Sequence, residues 1–154
     1  MSDKLRKNVL GVIFDNERNV LIVSRVNDPL HWQFPQGGIN PDENMEIAII
    51  RELQEELGTS KFTVIDKCPE THSYKWARSL IRDDNVGQVQ TIFILEFNGF
   101  SSDIILDHRE LGGYLWIPHY KVTHLLHEYR KPVWKIVKKY FNIKTLTRKK
   151  SKKR

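Results

Sequence analysis

Between Gly37 and Thr59 the chain carries six acidic residues, and three of them, Glu52, Glu55 and Glu56, stand at positions i, i+3 and i+4. If this stretch is a helix, each residue advances by about 100°, and the three carboxylates fall within roughly 100° of arc. Ile49, Ile50, Leu53 and Leu57 fill a neighbouring arc suited to packing on a sheet. The acids therefore border the buried face instead of opposing it, and like charges so close repel one another. Residues 40–60 offer a single base, Arg51, four positions before Glu55, where it can pair with that carboxylate and hold its orientation. Three carboxylates and one guanidinium leave negative charge uncompensated. A divalent cation supplies what is missing, because hard ions such as Mg²⁺ take oxygen ligands and share one or two carboxylates with water and substrate phosphates. The competing reading is an ordinary solvated acidic face.

Such a cluster has to be positioned. A helix over about Asn44–Leu57 is expected, with Asn44 or Asp42 as its N-cap and Gly58 as its left-handed terminator. Gly37-Gly38 permits close approach by a ligand or metal, and Glu43 is placed to turn back toward the cluster. Asn8–Phe14 and Val20–Arg25 flank a polar turn and read as a hairpin. Further strands are expected near Phe62–Ile65, His72–Trp76, Val86–Phe97 and Tyr114–Ile117, with helices near His119–His127 and Arg130–Phe141. Mixed strands with helices between them give a layered α/β domain. Residues 1–146 read as one domain and Thr147–Arg154 as a disordered basic tail.

Composition narrows the class. A chain of 154 residues, 40% hydrophobic and 29% charged, suits one globular domain. Cys68 is the lone cysteine, which excludes an internal disulfide and argues against a thiolate zinc site. No apolar run is long enough for a membrane span and the N-terminus has no secretory apolar stretch, so a cytoplasmic protein without a membrane partner is expected. Residues 1–128 hold 13 Lys and Arg against 19 Asp and Glu, a net −6; residues 129–154 hold 12 and none, a net +12, completing the overall +6. A basic end on an acidic body suggests a polyanion near the C-terminus, although a solvated helix with a solubilising tail would look the same.

The full spacing is more specific than the cluster. Gly37, five residues, Glu43, seven residues, then Arg51-Glu52-Leu53-Gln54-Glu55-Glu56-Leu57-Gly58 resembles the Nudix box, with Thr59 where the family has an aliphatic residue. "WQFPQGGINPDE" (Trp32–Glu43), "GQVQTIF" (Gly87–Phe93), "ELGGYLWI" (Glu110–Ile117) and "YRKPVWKIVKKYF" (Tyr129–Phe141) are similar to the branch containing RNA pyrophosphohydrolases and diadenosine polyphosphate hydrolases. "YKWA" (Tyr74–Ala77) differs from that branch, which often has Tyr-x-Leu-Pro. The resemblance implies a Nudix α/β/α sandwich with a mixed sheet, Mg²⁺ or Mn²⁺ as cofactor, and hydrolysis of phosphoanhydrides. It makes Glu52, Glu55 and Glu56 metal ligands with the Gly37 carbonyl and Glu110, and makes Arg51 and Glu43 the residues that orient them.

For the chemistry, a carboxylate near an activated water can take its proton, and Glu56 and Glu110 are the candidates. Arg25, Gln88, Gln90 and Tyr74 are candidate substrate contacts, since two glutamines two apart share one strand face and an aromatic ring can stack a base. A polar exposed face, a surface arginine and a core aromatic are the competing readings. The substrate expected is the 5′-triphosphate end of RNA, with a dinucleoside polyphosphate as runner-up and no DNA specificity. Lys and Arg of the C-terminal helix and tail are expected to meet RNA phosphates, giving salt-sensitive binding. A non-catalytic nucleotide- or RNA-binding module on the same fold is the alternative of another class, disfavoured because such a module has no need to keep repelling carboxylates together.

Overall fold

The computed structural model describes residues 4–77 and 85–150. Its backbone is a long parallel pair. Strand β1 (Lys4–Phe14) runs beside β7 (Asn85–Phe97), from Lys4↔Asn85 to Phe14↔Glu96. On the far side of β7 lie β5 (Phe62–Lys67) and β6 (His72–Lys75), both antiparallel to it. On the near side of β1, the short β4 (Gln36–Gly38) pairs antiparallel, bringing Gly37 opposite Val9. A second group comprises β2 (Asn19–Arg25) between β8 (Leu111–Pro118) and the edge strand β3 (Asp28–Gln33). The expected hairpin joins the two groups, but β1 and β2 are in register only at Phe14↔Val20, and β2 spends the rest of its length on β8. The turn is pinned by Asp15, whose carboxylate accepts from the backbone of Glu17 and Asn19 at 2.9 Å each.

Alternation along the strands builds two cores. Val9 and Ile13, Leu21 and Val23, Phe93 and Leu95 point toward helix α1 (Met45–Leu57). Leu10, Val12 and Phe14, Val20 and Ile22, Ile92 and Ile94 point the other way, toward Val133, Trp134 and Val137 of α3 (Lys131–Tyr140). Helices thus cover both faces of the sheet, giving the α/β/α sandwich.

Two expectations change. The helix expected over His119–His127 is a 3₁₀ turn at His119–Lys121 followed by only four residues of α2 (Val122–Leu125). The chain then turns extended at Leu126 so that His127 N–H can donate to Trp32 O (3.0 Å), docking this segment on the edge strand β3. The first two residues of the expected disordered tail, Thr147 and Arg148, are instead held in a strand. Phe141–Asn142 (β9) pairs with Thr147–Arg148 (β10), and Arg148 lies over the Phe141 ring while its guanidinium grips Asp66 (Nε–Oδ2 2.9 Å) and the Lys67 carbonyl (2.6 Å). That clamp gives Thr147 and Arg148 a partner that composition did not reveal. Residues 151–154 of the tail lie outside the described residues.

Candidate active site

Helix α1 presents the acids as its caps require. Asn44 accepts from the N–H groups of Glu46 (2.8 Å) and Ile47 (3.3 Å), and Gly58, at φ 72°, ends the helix by donating to Gln54 O. Within that frame the three glutamates are graded by depth. Glu55 is exposed, Glu52 is mostly covered, and Glu56 lies in the buried stripe with Ala48, Ile49, Leu53 and Leu57 at 8% exposure.

Burial pushes the Glu56 carboxyl up to about 8, helped by the nearby charges of Glu52, Glu110, Glu55 and Asp107. Burial likewise raises Glu52, against the opposing pull of Arg51. Glu110 is exposed, in the loop that enters β8, and its charge is felt by both Glu52 and Glu56. The loop is held against the end of α1 by Ile105 N–H to Leu57 O (2.8 Å) and Asp107 N–H to Glu56 O (2.9 Å), and Val26 N–H reaches Glu110 O (2.8 Å). Asp107 was not singled out from sequence. Its only signal was its place three residues before Glu110.

Arg51 braces the motif more widely than its spacing suggested. Beyond Glu55 (3.3 Å), it donates to Glu52 Oε1 (2.9 Å), to both oxygens of Glu43 (2.8 Å each) and to Gly38 O (2.9 Å). These bonds hold the Glu43 carboxyl down at about 2. One guanidinium therefore ties α1 to the loop and to β4. At Gly37 the fit is tight: a Cβ there would stand 2.0 Å from Glu52 Cδ.

The donor set can be tested against a hard dication. Carboxylate oxygens are the ligands Mg²⁺ and Mn²⁺ take. Glu56 is a buried carboxyl surrounded by other acids, and no donor among the described residues bonds it. Among the described residues, no three His, Cys, Asp or Glu side chains converge as a ready-made cage, and Glu52 and Glu55 are bonded to Arg51. The chemistry of the set fits a dication shared with water and phosphate oxygens rather than one enclosed by protein.

The candidate substrate contacts divide. Arg25 is exposed at the end of β2, where β2 meets Leu111 and the Glu110 loop. Tyr74 and Gln88 are half-buried and bonded to each other (Oη–Oε1 3.1 Å). Gln90 is corrected: it has no exposed surface, and its amide bridges Asn8 (3.1 Å), Gln36 and His72 (3.2 Å). It ties β7 to β1 and β4 and meets no solvent, because β6 and β4 cover it from two sides. Trp76 lies just past the end of β6, with its N–H still bonded to Val86 O. Sequence reading passed over Arg6, whose guanidinium covers Gly38 and lines a groove of ≈540 Å³ with Lys4, Lys7, Asn40, Glu43 and Met45. The alternation of basic residues at the start of β1 was the available signal.

A family model for the NUDIX domain matches residues 4–140. The chain belongs to the Nudix hydrolase family. Curated Nudix relatives include an RNA pyrophosphohydrolase of a Nitratiruptor species, 30% identical over 90% of this chain and 94% of the relative. An RNA pyrophosphohydrolase of Klebsiella pneumoniae is 31% identical over 94% and 87%. Among solved Nudix structures, a C. elegans Ap4A hydrolase binary complex superposes with a TM-score of 0.69 at 20% identity, over 88% of this chain and 95% of that one. The E. coli dihydroneopterin triphosphate pyrophosphohydrolase gives 0.68 at 22%, over 88% and 96%. The two structural likenesses carry the fold. Thr59, the departure inside the Nudix box, is buried, and its hydroxyl accepts from Lys61 N–H (3.2 Å), so the polar atom is satisfied. Among the described residues no helix is long and apolar enough to cross a membrane.

Proposed function

We propose that this Nudix hydrolase is a metal-dependent pyrophosphohydrolase acting on the 5′-triphosphate end of RNA and leaving a 5′-monophosphate. The observation that carries the chemistry is Glu56: a buried carboxyl, raised to about 8, amid Glu52, Glu55, Glu110 and Asp107, with the neighbouring Arg51 engaged elsewhere. The substrate class rests on relatives named RNA pyrophosphohydrolase that align along 90% or more of the chain.

Glu52, Glu55 and Glu56, with the Gly37 carbonyl and Glu110, would hold Mg²⁺ or Mn²⁺, which offsets polyphosphate charge and makes water more acidic. Arg51 keeps Glu52 and Glu55 oriented through its bonds to Glu43 and Gly38 O. Arg25, beside the Glu110 loop, and Arg6, over Gly38, would meet the substrate's outer phosphates. Water attacks a phosphorus, its proton passes to Glu56 or Glu110, and the anhydride P–O bond breaks with the leaving phosphate carrying the electron pair. Gln88 and Tyr74, bonded to each other, would form a wall for the first nucleotide.

The test is a side-by-side assay of 5′-triphosphorylated RNA and diadenosine tetraphosphate, comparing kcat/KM and products with Mg²⁺ or Mn²⁺. Preference for the RNA is expected, and Glu56→Gln should lower its turnover about a thousandfold, equivalent to roughly 4 kcal/mol. A higher kcat/KM for the dinucleotide would overturn the substrate reading. Near-normal turnover by Glu56→Gln at saturating metal would remove that residue from the mechanism.

A further inference from the structure

We propose that the lysine ridge of α3 (Lys131, Lys135 and Lys138) is a docking surface for the single-stranded body of an RNA whose 5′ end occupies the Nudix site, an inference that rests on the RNA reading above. The three residues stand at i, i+4 and i+7, so they share one helix face and span about 10 Å. With Thr123, Glu128 and Pro132 they line a groove of ≈280 Å³. Among the described residues the groove is lined by one acid, Glu128, and it is bound to Lys131 (2.6 Å). Lys135 and Lys138 are exposed, and no ion pair to either occurs among the described residues.

Three features separate this ridge from an ordinary solvated face. Like charges three and four apart weaken a helix, and although Lys138 in the last turn is favoured by the helix dipole, Lys131 in the first turn opposes it. Other bases of this segment do find partners in the fold, Lys139 on Glu70 and Arg148 on Asp66, whereas the ridge is left with one acid for three lysines. The remainder of the chain, residues 1–128, carries a net −6 and would repel a polyanion that nothing else attracted. The ridge also begins at the right end. Arg130, just before it, donates to His31 Nε2 (3.0 Å) on β3, and β3 runs directly into Phe34–Gly38 and so to Gly37. Lys131 is therefore the ridge lysine next in sequence to the contact with the strand that leads to Gly37.

The experiment compares wild type with Lys135→Glu/Lys138→Glu, and with Lys135→Gln/Lys138→Gln to separate charge loss from charge reversal. Two substrates are used, a 5′-triphosphorylated dinucleotide and a 5′-triphosphorylated RNA long enough to cross the ridge. The variants should lose about tenfold or more in kcat/KM on the long RNA at low salt and flatten its log–log salt slope by about 1.4, two contacts at about 0.7 each. Turnover of the dinucleotide should stay within a factor of two. Fluorescence anisotropy with a 5′-hydroxyl RNA of the same length should show a matching loss of affinity. Equal loss on both substrates, or unchanged affinity for the 5′-hydroxyl RNA, would overturn the ridge. If wild type hydrolysed neither triphosphate, the RNA reading of the active site would fail, while the anisotropy would still decide the ridge.

Discussion

Replacing Gly37 by alanine adds one methyl group at the point where β4 meets α1, and the structure gives the size of the disturbance. The new Cβ would stand 2.0 Å from Glu52 Cδ, 2.2 Å from Oε2 and 2.5 Å from Cγ, whereas ordinary contact begins at 3.4 Å. The Glu52 carboxyl, or the strand facing it, must therefore withdraw by about 1.4 Å, the difference between 3.4 and 2.0 Å. Displacements near 1 Å at a reacting centre cost on the order of a hundredfold in rate. Backbone strain does not contribute, because Gly37 is not among the positive-φ residues. Folding should suffer far less: at worst the Arg51–Glu52 bond (2.9 Å) is lost, a charged hydrogen bond worth about 1.5–3 kcal/mol, and Arg51 keeps Glu43. The adjacent Gly38→Ala is the comparison: its Cβ meets Arg6 Nη2 at 2.5 Å, the far end of a long side chain that can swing aside, so its cost should fall on KM through Arg6 and not on kcat at saturating substrate. Initial rates at saturating Mg²⁺ and thermal melts on both variants provide the assay. We expect about a hundredfold loss of kcat for Gly37→Ala, a melting temperature lower by a few degrees, and a much smaller rate loss for Gly38→Ala. A Gly37→Ala enzyme within threefold of wild type, or a Gly38→Ala enzyme equally impaired, would refute the claim that the Gly37–Glu52 contact sets the carboxylate geometry.

Two further predictions follow from named contacts. Arg51→Lys keeps the charge but cannot reach Glu43, Gly38 O, Glu52 and Glu55 together, so activity or apparent metal affinity should fall about 10–100-fold; a Mg²⁺ titration of rate that overlays wild type would contradict this. His31 is 7% exposed and held neutral, its pKa lowered to about 4 by burial, then by Arg130, His127 and Arg25, with Asp28 opposing. Because the unfolded imidazole binds its proton near 6.5 and the folded one near 4, stability should decline as pH falls from about 6.5 toward 4, by about 2 kcal/mol after allowance for partial screening. Chemical denaturation across that range should show the decline in wild type and a flatter curve in His31→Gln.

The acidic helix α1 was legible because its signals are local and agree with one another. The apolar period, the Asn44 cap, the Gly58 terminator and the placing of acids beside the buried stripe all act within one segment. The long strands were legible for the same reason. What escaped depends on partners distant in the chain. The strand β3 contains Pro29 and exposed Leu30 and is a strand only because β2 lies beside it, while β4 is three residues long and exists because β1 pairs with it. Gln90 alternates like an exposed polar residue, yet β4 and β6 bury it, and a strand face does not announce what will cover it. Arg148 sits in a composition that reads as disorder, but Asp66, 82 residues earlier, fixes it.

The two ends of the charge distribution share one physical logic. Among the described residues, Glu52, Glu55 and Glu56 crowd within one turn of α1 with Arg51 as their bonded base, and Lys131, Lys135 and Lys138 share a ridge on α3 with Glu128 as the acid lining it. The two helices lie on opposite faces of one sheet, so neither set can neutralise the other by direct pairing. Each like-charged pair is a local cost that interior packing does not repay, and a sequence shaped by folding alone would interleave the signs. Keeping them apart maintains two fields of opposite sign on a single rigid frame. The acidic one suits a dication and the reacting phosphates, and the basic one suits phosphates that do not react. On the RNA reading proposed above, a ligand with a polyphosphate end and a long anionic body would engage both at once, whereas a dinucleoside polyphosphate would have no anionic body to extend over the ridge.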